Sequence, residues 1–417
     1  MGLEAQLEGR QVMFISYNGM LDPLGQTQVL PYLRELAKKG VRFTLLSFER
    51  ARAFEPAGAA KCAELKGELQ TQGIDWHWLR YHQRPSVPAT VYDVIAGTLK
   101  AGSLVQRKKI EMVHARGHIP AAIALALKTR FGIKMIFDVR GLMAEEYVDA
   151  GHWREGSLPY RITKSTERQI LAATDAVVTL TERIWPIIRE WQGLRGRTPH
   201  HEVIPCCVDT ARFRFSDEER TRRRKELGLQ DQFTIVYSGS LDGWYLTEKM
   251  ADFFASLVRR NPEAHLLWLT TGSHDRVRQL MNSRNIETGN YSVLSVAAAD
   301  VPSYLAAADA GVSFIKRCVS KAASSPTKNA EYLACGLPIV INEGIGDSDA
   351  LVDEWQAGVL LEEFNETEYE AAAREIEAMV VAPETRVRVR RIAERLFHLE
   401  TVGGQRYAAL YQRVLNT

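Results

Sequence analysis

The 417-residue sequence predicts an α/β protein of two doubly wound domains, each a mostly parallel sheet covered by helices on both faces. Three observations carry that expectation. Short, continuously apolar runs alternate with amphipathic helical segments, the pattern of strands buried on both faces. The alternation stops in a non-periodic, Pro-containing stretch at residues 201–214 (HEVIPCCVDTARFR) and then restarts. Length agrees, because roughly 150 residues per domain allows two or three.

Residues 11–16 (QVMFIS) read as the first strand. A loop (NGMLDPLGQTQ) leads to VLPYLRELAKKG, where Val29, Leu33, Leu36 and Ala37 share one helical face and Gly40 supplies a C-terminal stop. Further strands are expected at residues 41–48, 110–114, 134–138 and 176–180, with helical stretches between them. Residues 201–214 read as a connector that contains one strand. After the helical RTRRRKELGL comes a strand at residues 233–237 (FTIVY) and a glycine turn, SGSLDG. Strands follow at 265–270, 310–314 and 338–342, with helices beginning near Glu248, His274, Pro302 and Thr327. Residues 403–417 read as one closing helix. Ligands are expected beyond the carboxyl ends of the strands.

Composition excludes several classes. With 46% hydrophobic and 25% charged residues the chain is globular rather than disordered or fibrous. The 53 Lys+Arg against 51 Asp+Glu leave +2, too small a surplus for clamping nucleic acid. No apolar run approaches the roughly 18 residues of a membrane span; the most apolar stretch, residues 120–127, stops at Lys128. Glu4, Glu8 and Arg10 precede the first apolar run, so no secretory signal is expected and the chain reads as cytoplasmic. The five cysteines show no CxxC spacing, and Cys206 and Cys207 read as buried thiols rather than metal ligands. The basic runs at residues 220–225 (RTRRRK) and 386–391 (RVRVRR) read as solvated helical faces. A third, residues 107–109 (RKK), follows the apolar YDVIAGTLKAGSLVQ and offers a peripheral contact with the inner face of the cell membrane.

The segment richest in chemistry is residues 324–340, SSPTKNAEYLACGLPIV. A loop with Ser325 and Pro326 enters a helix, with Thr327 as N-cap or first-turn residue. Lys328 lies in the first turn, Glu331 follows one turn later, and Gly336 ends the helix. A helix N-terminus beside a lysine suits phosphate oxygens, and Glu331 could accept hydrogen bonds from sugar hydroxyls. A capped helix with an exposed Lys–Glu pair fits the same spacing. His118 follows a strand at its carboxyl end, where a neutral imidazole can meet a ligand or serve structurally; His114 reads as structural. Gly25 and Gln26 form a glycine turn whose backbone could approach a diphosphate. Arg140 ends another strand at its carboxyl end. His152 and Trp153 lie in the following loop, where Trp153 fits a surface anchor.

Taken in order, these pieces resemble glycosyltransferase family 4, retaining enzymes of the two-domain GT-B fold. Residues 324–340 resemble the family's nucleotide-sugar site, GQTQ (25–28) its first glycine loop, and HARGHIP (114–120) the segment with the active-site His. VIPCCVD (203–209) with Phe213 resembles the "IPNGVD…F" connector, and YSGSL (237–241) the "GRL" turn. The resemblance implies an acceptor domain at 1–205, with Arg140 on the acceptor side and His152 and Trp153 as acceptor contacts, a nucleotide-sugar domain at 206–400, a cleft between them, and a helix at 401–417 crossing back. It also implies no metal or other cofactor. The family signature is Glu, seven residues, Glu. Glu331 matches the second, which holds the ribose, while the first position is Ala323 and the "GRL" arginine is Ser240. Diphosphate charge is therefore expected to fall to Lys328 and the helix N-terminus, helped by Lys316 or Arg317, with Lys249 a weaker candidate inside a helix. Gly239 lines the donor turn, and backbone near Leu294, Val296 and Val301 is expected to read the base. His118, Lys328 and Glu331 are the expected catalytic residues. The implied function is a hexosyltransferase-type transfer from a nucleoside diphosphate sugar to a glycan or lipid-linked hydroxyl acceptor, in polysaccharide biosynthesis. The alternatives are a GT-B epimerase or a non-catalytic nucleotide-sugar-binding subunit.

Overall fold

The computed structural model describes residues 7–194, 196–229 and 231–417, so Glu4 lies outside the described residues. The chain forms two compact units, Met1–Pro205 with Leu399–Thr417, and Cys206–His398.

The first unit holds a seven-stranded sheet: β1 (Gln11–Ser16), β2 (Arg42–Glu49), β3 (Ile74–Arg80), β4 (Met112–Arg116), β5 (Lys134–Asp138), β6 (Ala176–Thr179) and β7 (His200–Val203). The strand order is β3-β2-β1-β4-β5-β6-β7, and every pairing is parallel. Parallel strands need crossovers, and these helices cover the sheet so that β1, β4 and β5 are almost wholly buried. The stretch expected as a loop before Val29 contains a short helix, Pro23–Gln28, because Pro23 presets the first helical φ. The last helix is Gln405–Leu415, preceded by a π-helical turn at Leu399–Gly404. Its tyrosines enter the core of this unit: Tyr411 Oη lies 2.6 Å from His114 Nδ1, and Tyr407 Oη donates to Asp138 Oδ2 at 3.0 Å.

The second unit holds β8 (Thr234–Ser238), β9 (His265–Leu269), β10 (Tyr291–Leu294), β11 (Ala310–Ser313), β12 (Ile339–Asn342) and β13 (Gly358–Leu361). Their order, β10-β9-β8-β11-β12-β13, is again all parallel. Alternation along each strand feeds two cores. Ile235, Tyr237, Leu266 and Trp268 enter one with the helix Thr247–Arg260, while Val236, Leu267, Ile339 and Ile341 enter the other with the helix Thr327–Ala334. Each such side chain contributes about 1.5–3 kcal/mol by burial.

Apolar runs locate the nine internal strands of these two sheets, but β3, β10 and β13 escape them and β7 appears only within the connector. These four are the sheet edges. An edge strand leaves one flank to solvent and carries half-buried positions, as in IDWHWLR and HHEV, so its apolar run is broken. The basic runs also differ from expectation. Arg220, Arg224 and Arg386 converge on Asp309 at 2.5, 3.3 and 3.2 Å, and Arg224 is buried. Arg220 Nη1 additionally takes the carbonyls of Ala306, Ala307 and Ala308, which follow the helix Val301–Ala306 and need donors. Arg222 and Arg223 keep to the surface as expected, pairing with Glu219 and Glu226, and so does Arg390 with Glu394.

Candidate functional site

In each unit the strand order reverses once, between β1 and β4 and between β8 and β11. Ligands of open α/β sheets bind beyond the carboxyl ends of the strands at that reversal.

In the second unit β8 ends in the turn at Gly239, and β11 runs on through Phe314 and Ile315 toward the helix Thr327–Ala334. The segment after Gly239 lies back along this extension: Tyr245 bridges Ile315, and Lys316 N donates to Trp244 O at 2.8 Å. Asn342 fixes Ile315 from the other side by accepting from its N–H (2.7 Å) and donating to its carbonyl (3.0 Å). Lys328 is thereby enclosed at 6% exposure. Its Nζ stands 3.3 Å above the Tyr245 ring and 4.5 Å from the Tyr237 ring centre, and donates to Tyr237 Oη at 3.4 Å. Tyr237 Oη donates in turn to Ser240 O at 2.5 Å, tying the glycine turn to the lysine.

Gly239 has φ 155°, and a Cβ there would stand 2.8 Å from Lys328 Nζ. Glycine is required by that approach. The obstructing atom ends a flexible side chain and can yield, but φ 155° strains any L side chain, so Gly239→Ala is expected to lower stability, move the ammonium, and weaken nucleotide diphosphate binding about tenfold. Calorimetric titration checks this, and unchanged affinity would separate Gly239 from the site.

Burial drives the Lys328 pKa well below its ordinary value, opposed only by Glu331. Burial also pushes the Glu331 carboxyl up to about 7, against the pull of Lys328 and Arg212. Burial disfavours the charged form of each group, so an anion held beside Lys328 would favour its ammonium.

Other expected donor residues differ. Pro326 occupies the cap position without a side-chain acceptor, and Thr327 is the first helical residue, one of its two expected places. Ser325 Oγ accepts from Cys206 N at 3.1 Å and secures the start of this unit. Lys316 is exposed, and Arg317 is exposed but paired with Glu343 at 2.9 Å. Ser240 is exposed, Ala323 is buried at 1%, and Lys249 pairs along its helix with Asp252. Near Leu294 and Val296, where base reading by the backbone is expected, one carbonyl is already in use. The Leu294 carbonyl already accepts from Thr270 N (2.9 Å), and both side chains, with Val301, pack on the core. Sequence reading missed Tyr237, Tyr245, Arg212, and Lys321 with its ammonium 4.0 Å above the Trp244 ring. The closing tyrosine at a strand end, in YSGS, was the one local signal.

In the first unit His118 opens the helix His118–Phe131, after Gly117 with φ 86°. Its Nε2 lies 2.7 Å from Oε1 of Glu167, which is 1% exposed. The second Glu167 oxygen meets Lys164, whose ammonium is also 3.0 Å from Glu145 and 3.6 Å above the Trp191 ring. Burial alone would raise the Glu167 pKa, but the hydrogen bond and charge of His118 and the charge of Lys164 outweigh it and hold the carboxyl below its usual range. An ionised Glu167 accepts, so Nε2 carries the proton and Nδ1 is the nitrogen left for a ligand. Glu167 was legible in principle: it shares the buried helix face of Ile170 and Leu171, an unusual place for a carboxylate.

His114 is buried and structural, between Tyr411 and Asp138. Burial would raise Asp138, but Arg140, His114 and Arg116 hold it at about 2. Arg140, expected on the acceptor side, is one of these counter-charges. Its guanidinium sits 3.6 Å from Asp138 and is mostly buried, because a buried carboxylate needs a counter-charge. Trp153 stacks on Tyr147 at 4.2 Å, the anchoring role, and His152 is exposed. Gly25 and Gln26 make local contacts. A Cβ on Gly25 would stand 2.2 Å from Gly19 O, so glycine serves chain packing, while Gln26 N donates to Asp22 O at 3.1 Å and its side chain to Met20 O. Among the described residues no group of three or more His, Cys, Asp or Glu side chains could hold a metal ion.

Two doubly wound parallel units of this order define the GT-B fold. The chain is similar to a glycosyltransferase from Rickettsia africae, at TM-score 0.75 and 12% identity over 98% of this chain and 99% of that one. It is also similar to Anabaena HepE in complex with UDP and glucose, at TM-score 0.67 and 14% identity over 96% and 98%. The family model Glycosyltransferase Family 4 matches residues 25–212, and the model Glycosyl transferases group 1 matches residues 219–396. The chain belongs to the family 4 glycosyltransferases. It is 25% identical over 160 residues to D-inositol 3-phosphate glycosyltransferase of Acidothermus cellulolyticus, matching 38% of this chain and about a third (34%) of that relative.

Proposed function

We propose that this protein moves a hexosyl group from a nucleoside diphosphate sugar to a hydroxyl of a glycan or lipid-linked acceptor, with retention at the anomeric carbon. The observation that supports this most is the Lys328–Glu331 pair, on the first turns of the helix that begins at the sheet reversal of the second unit. A diphosphate against Lys328 supplies the negative charge that restores the ammonium, and helix N–H dipoles add to it. Glu331, one turn on, accepts from the ribose hydroxyls. The similarity to HepE, solved with UDP and glucose, supports such a donor. His118 sits at the reversal of the first unit, on the acceptor side of this proposal. Catalysis then rests on orientation and on stabilising the departing diphosphate, with no metal invoked.

The test is incubation with radiolabelled nucleoside diphosphate hexoses and glycan or lipid-linked acceptors, with and without a chelator. Transfer in both conditions is expected. An epimer released from donor alone would favour an epimerase, and binding without turnover a non-catalytic subunit. Glu331→Ala is expected to weaken nucleotide binding by about 1–3 kcal/mol by calorimetry, and unaltered binding would remove Glu331 from the site. Its pH dependence has a definite sign. The folded value of about 7 exceeds the ordinary 4.5, so the protonated carboxyl favours the unliganded fold below 4.5, and that contribution is lost as pH rises through about 7. Nucleotide affinity is expected to rise over the same window as the acceptor carboxylate forms.

A further inference from the structure

We propose that the outer face of the helix Ser86–Lys108 lies flat on an anionic phospholipid bilayer. This inference stands apart from the glycosyl-transfer proposal and survives its failure. The inner face of the helix buries Ala89, Asp93, Gly97, Ala101, Leu104 and Val105. Contact there is close: a Cβ on Gly97 would stand 2.6 Å from Ile123 Cδ1 and 2.9 Å from Phe48 Cζ.

The outer face is where a solvated helix places its charges. Here it carries Val87, Val91, Ile95 and Leu99, a single row four residues apart, exposed by 52, 52, 56 and 71%. Tyr92, at 59%, flanks the row. Twelve residues of helix make this apolar strip about 18 Å long. The only charged residue between Ser86 and Leu99 is Asp93, which points inward and accepts from Tyr17 Oη at 2.8 Å, with His82 Nδ1 at 2.7 Å.

Charge selects the occupant. Arg80 and Arg84 precede the strip, and Lys100, Arg107, Lys108 and Lys109 follow it, six cations against the single buried Asp93 from residue 80 to 109. The whole chain carries only +2, so this surplus is local. Lys108 is shared with Asp75 at 2.9 Å, while Arg107 and Lys109 are exposed. A second copy would meet the same cations and repel. Anionic headgroups satisfy them, long basic side chains can reach the headgroups while the apolar row enters the acyl boundary, and a flanking tyrosine suits headgroup depth. No described helix is long and apolar enough to cross a membrane, so an in-plane contact is the geometry that fits.

The experiment is co-sedimentation of the full chain with phosphatidylcholine vesicles, with and without phosphatidylglycerol, at low and high salt. Binding is expected to the anionic vesicles and to fall with salt. The double variant Ile95→Asp/Leu99→Asp should lose at least about tenfold in binding, with its melting curve unchanged because both sites face solvent. Lys109→Glu with Arg107→Glu should lose about tenfold at low salt, through charge alone. The proposal is overturned if the intact chain stays in the supernatant, or if the aspartate variant pellets as the intact chain does. It is overturned equally if sedimentation velocity reveals a dimer that the aspartate variant dissolves, which would assign the face to a second copy.

Discussion

Replacing Lys328 by methionine is expected to weaken nucleotide diphosphate binding about 10–100-fold while raising the melting temperature of the unliganded protein. The two halves share one cause. Lys328 lies at 6% exposure among Tyr237 and Tyr245, where an ammonium has lost most of its water. A charged hydrogen bond to phosphate is worth about 1.5–3 kcal/mol, and methionine forfeits it. The same methionine fills a similar volume without a charge to desolvate, which stabilises the apo fold by about 1–3 kcal/mol. The lysine's folded pKa lies well below the ordinary 10.5. The unfolded chain therefore holds the proton more readily between the two values, and the stability this group allows is complete only above 10.5 and is lost as pH falls. The advantage of Lys328→Met should accordingly shrink at alkaline pH. A variant that melts lower and binds nucleotide normally would show that the ammonium is structural.

His118→Ala is expected to lower kcat by about 10²–10³ with little change in donor affinity, since the residue belongs to the unit that does not hold the nucleotide in this proposal. Glu167→Gln separates contact from orientation. Glutamine keeps an oxygen for Nε2 but removes the charge that fixes which nitrogen carries the proton, and a loss of about tenfold in kcat is expected. Glu167→Leu removes both and should approach His118→Ala, with KM for donor preserved. Full kcat in His118→Ala would return this histidine to a structural role beside His114.

What could be read from the sequence follows the range of the interactions. The internal strands announce themselves because burial on both faces demands unbroken apolar runs, whereas β3 and β10 answer to one covered face and lose the signal. Lys328, Glu331 and Gly239 are legible because a strand, a turn and a helix start are local patterns. Their partners are not, since Tyr245 reaches Lys328 through a bridge to Ile315, and Glu167 reaches His118 across 49 residues of chain. Arginines misled for the same reason: Asp309, which gathers Arg220, Arg224 and Arg386, lies far from all three in sequence.

The tyrosines of the last helix bear on how the protein is made. Tyr407 and Tyr411 supply hydrogen-bond partners to Asp138 Oδ2 and His114 Nδ1, buried groups that would otherwise lose these contacts. During synthesis the strands of the first unit leave the ribosome before the second unit, yet the side chains that close their core follow it. The second unit, contiguous from Cys206 to His398, is complete before that happens. The first unit is therefore closed only after the second, and a premature stop shortly before Gln405 costs the first unit that closure.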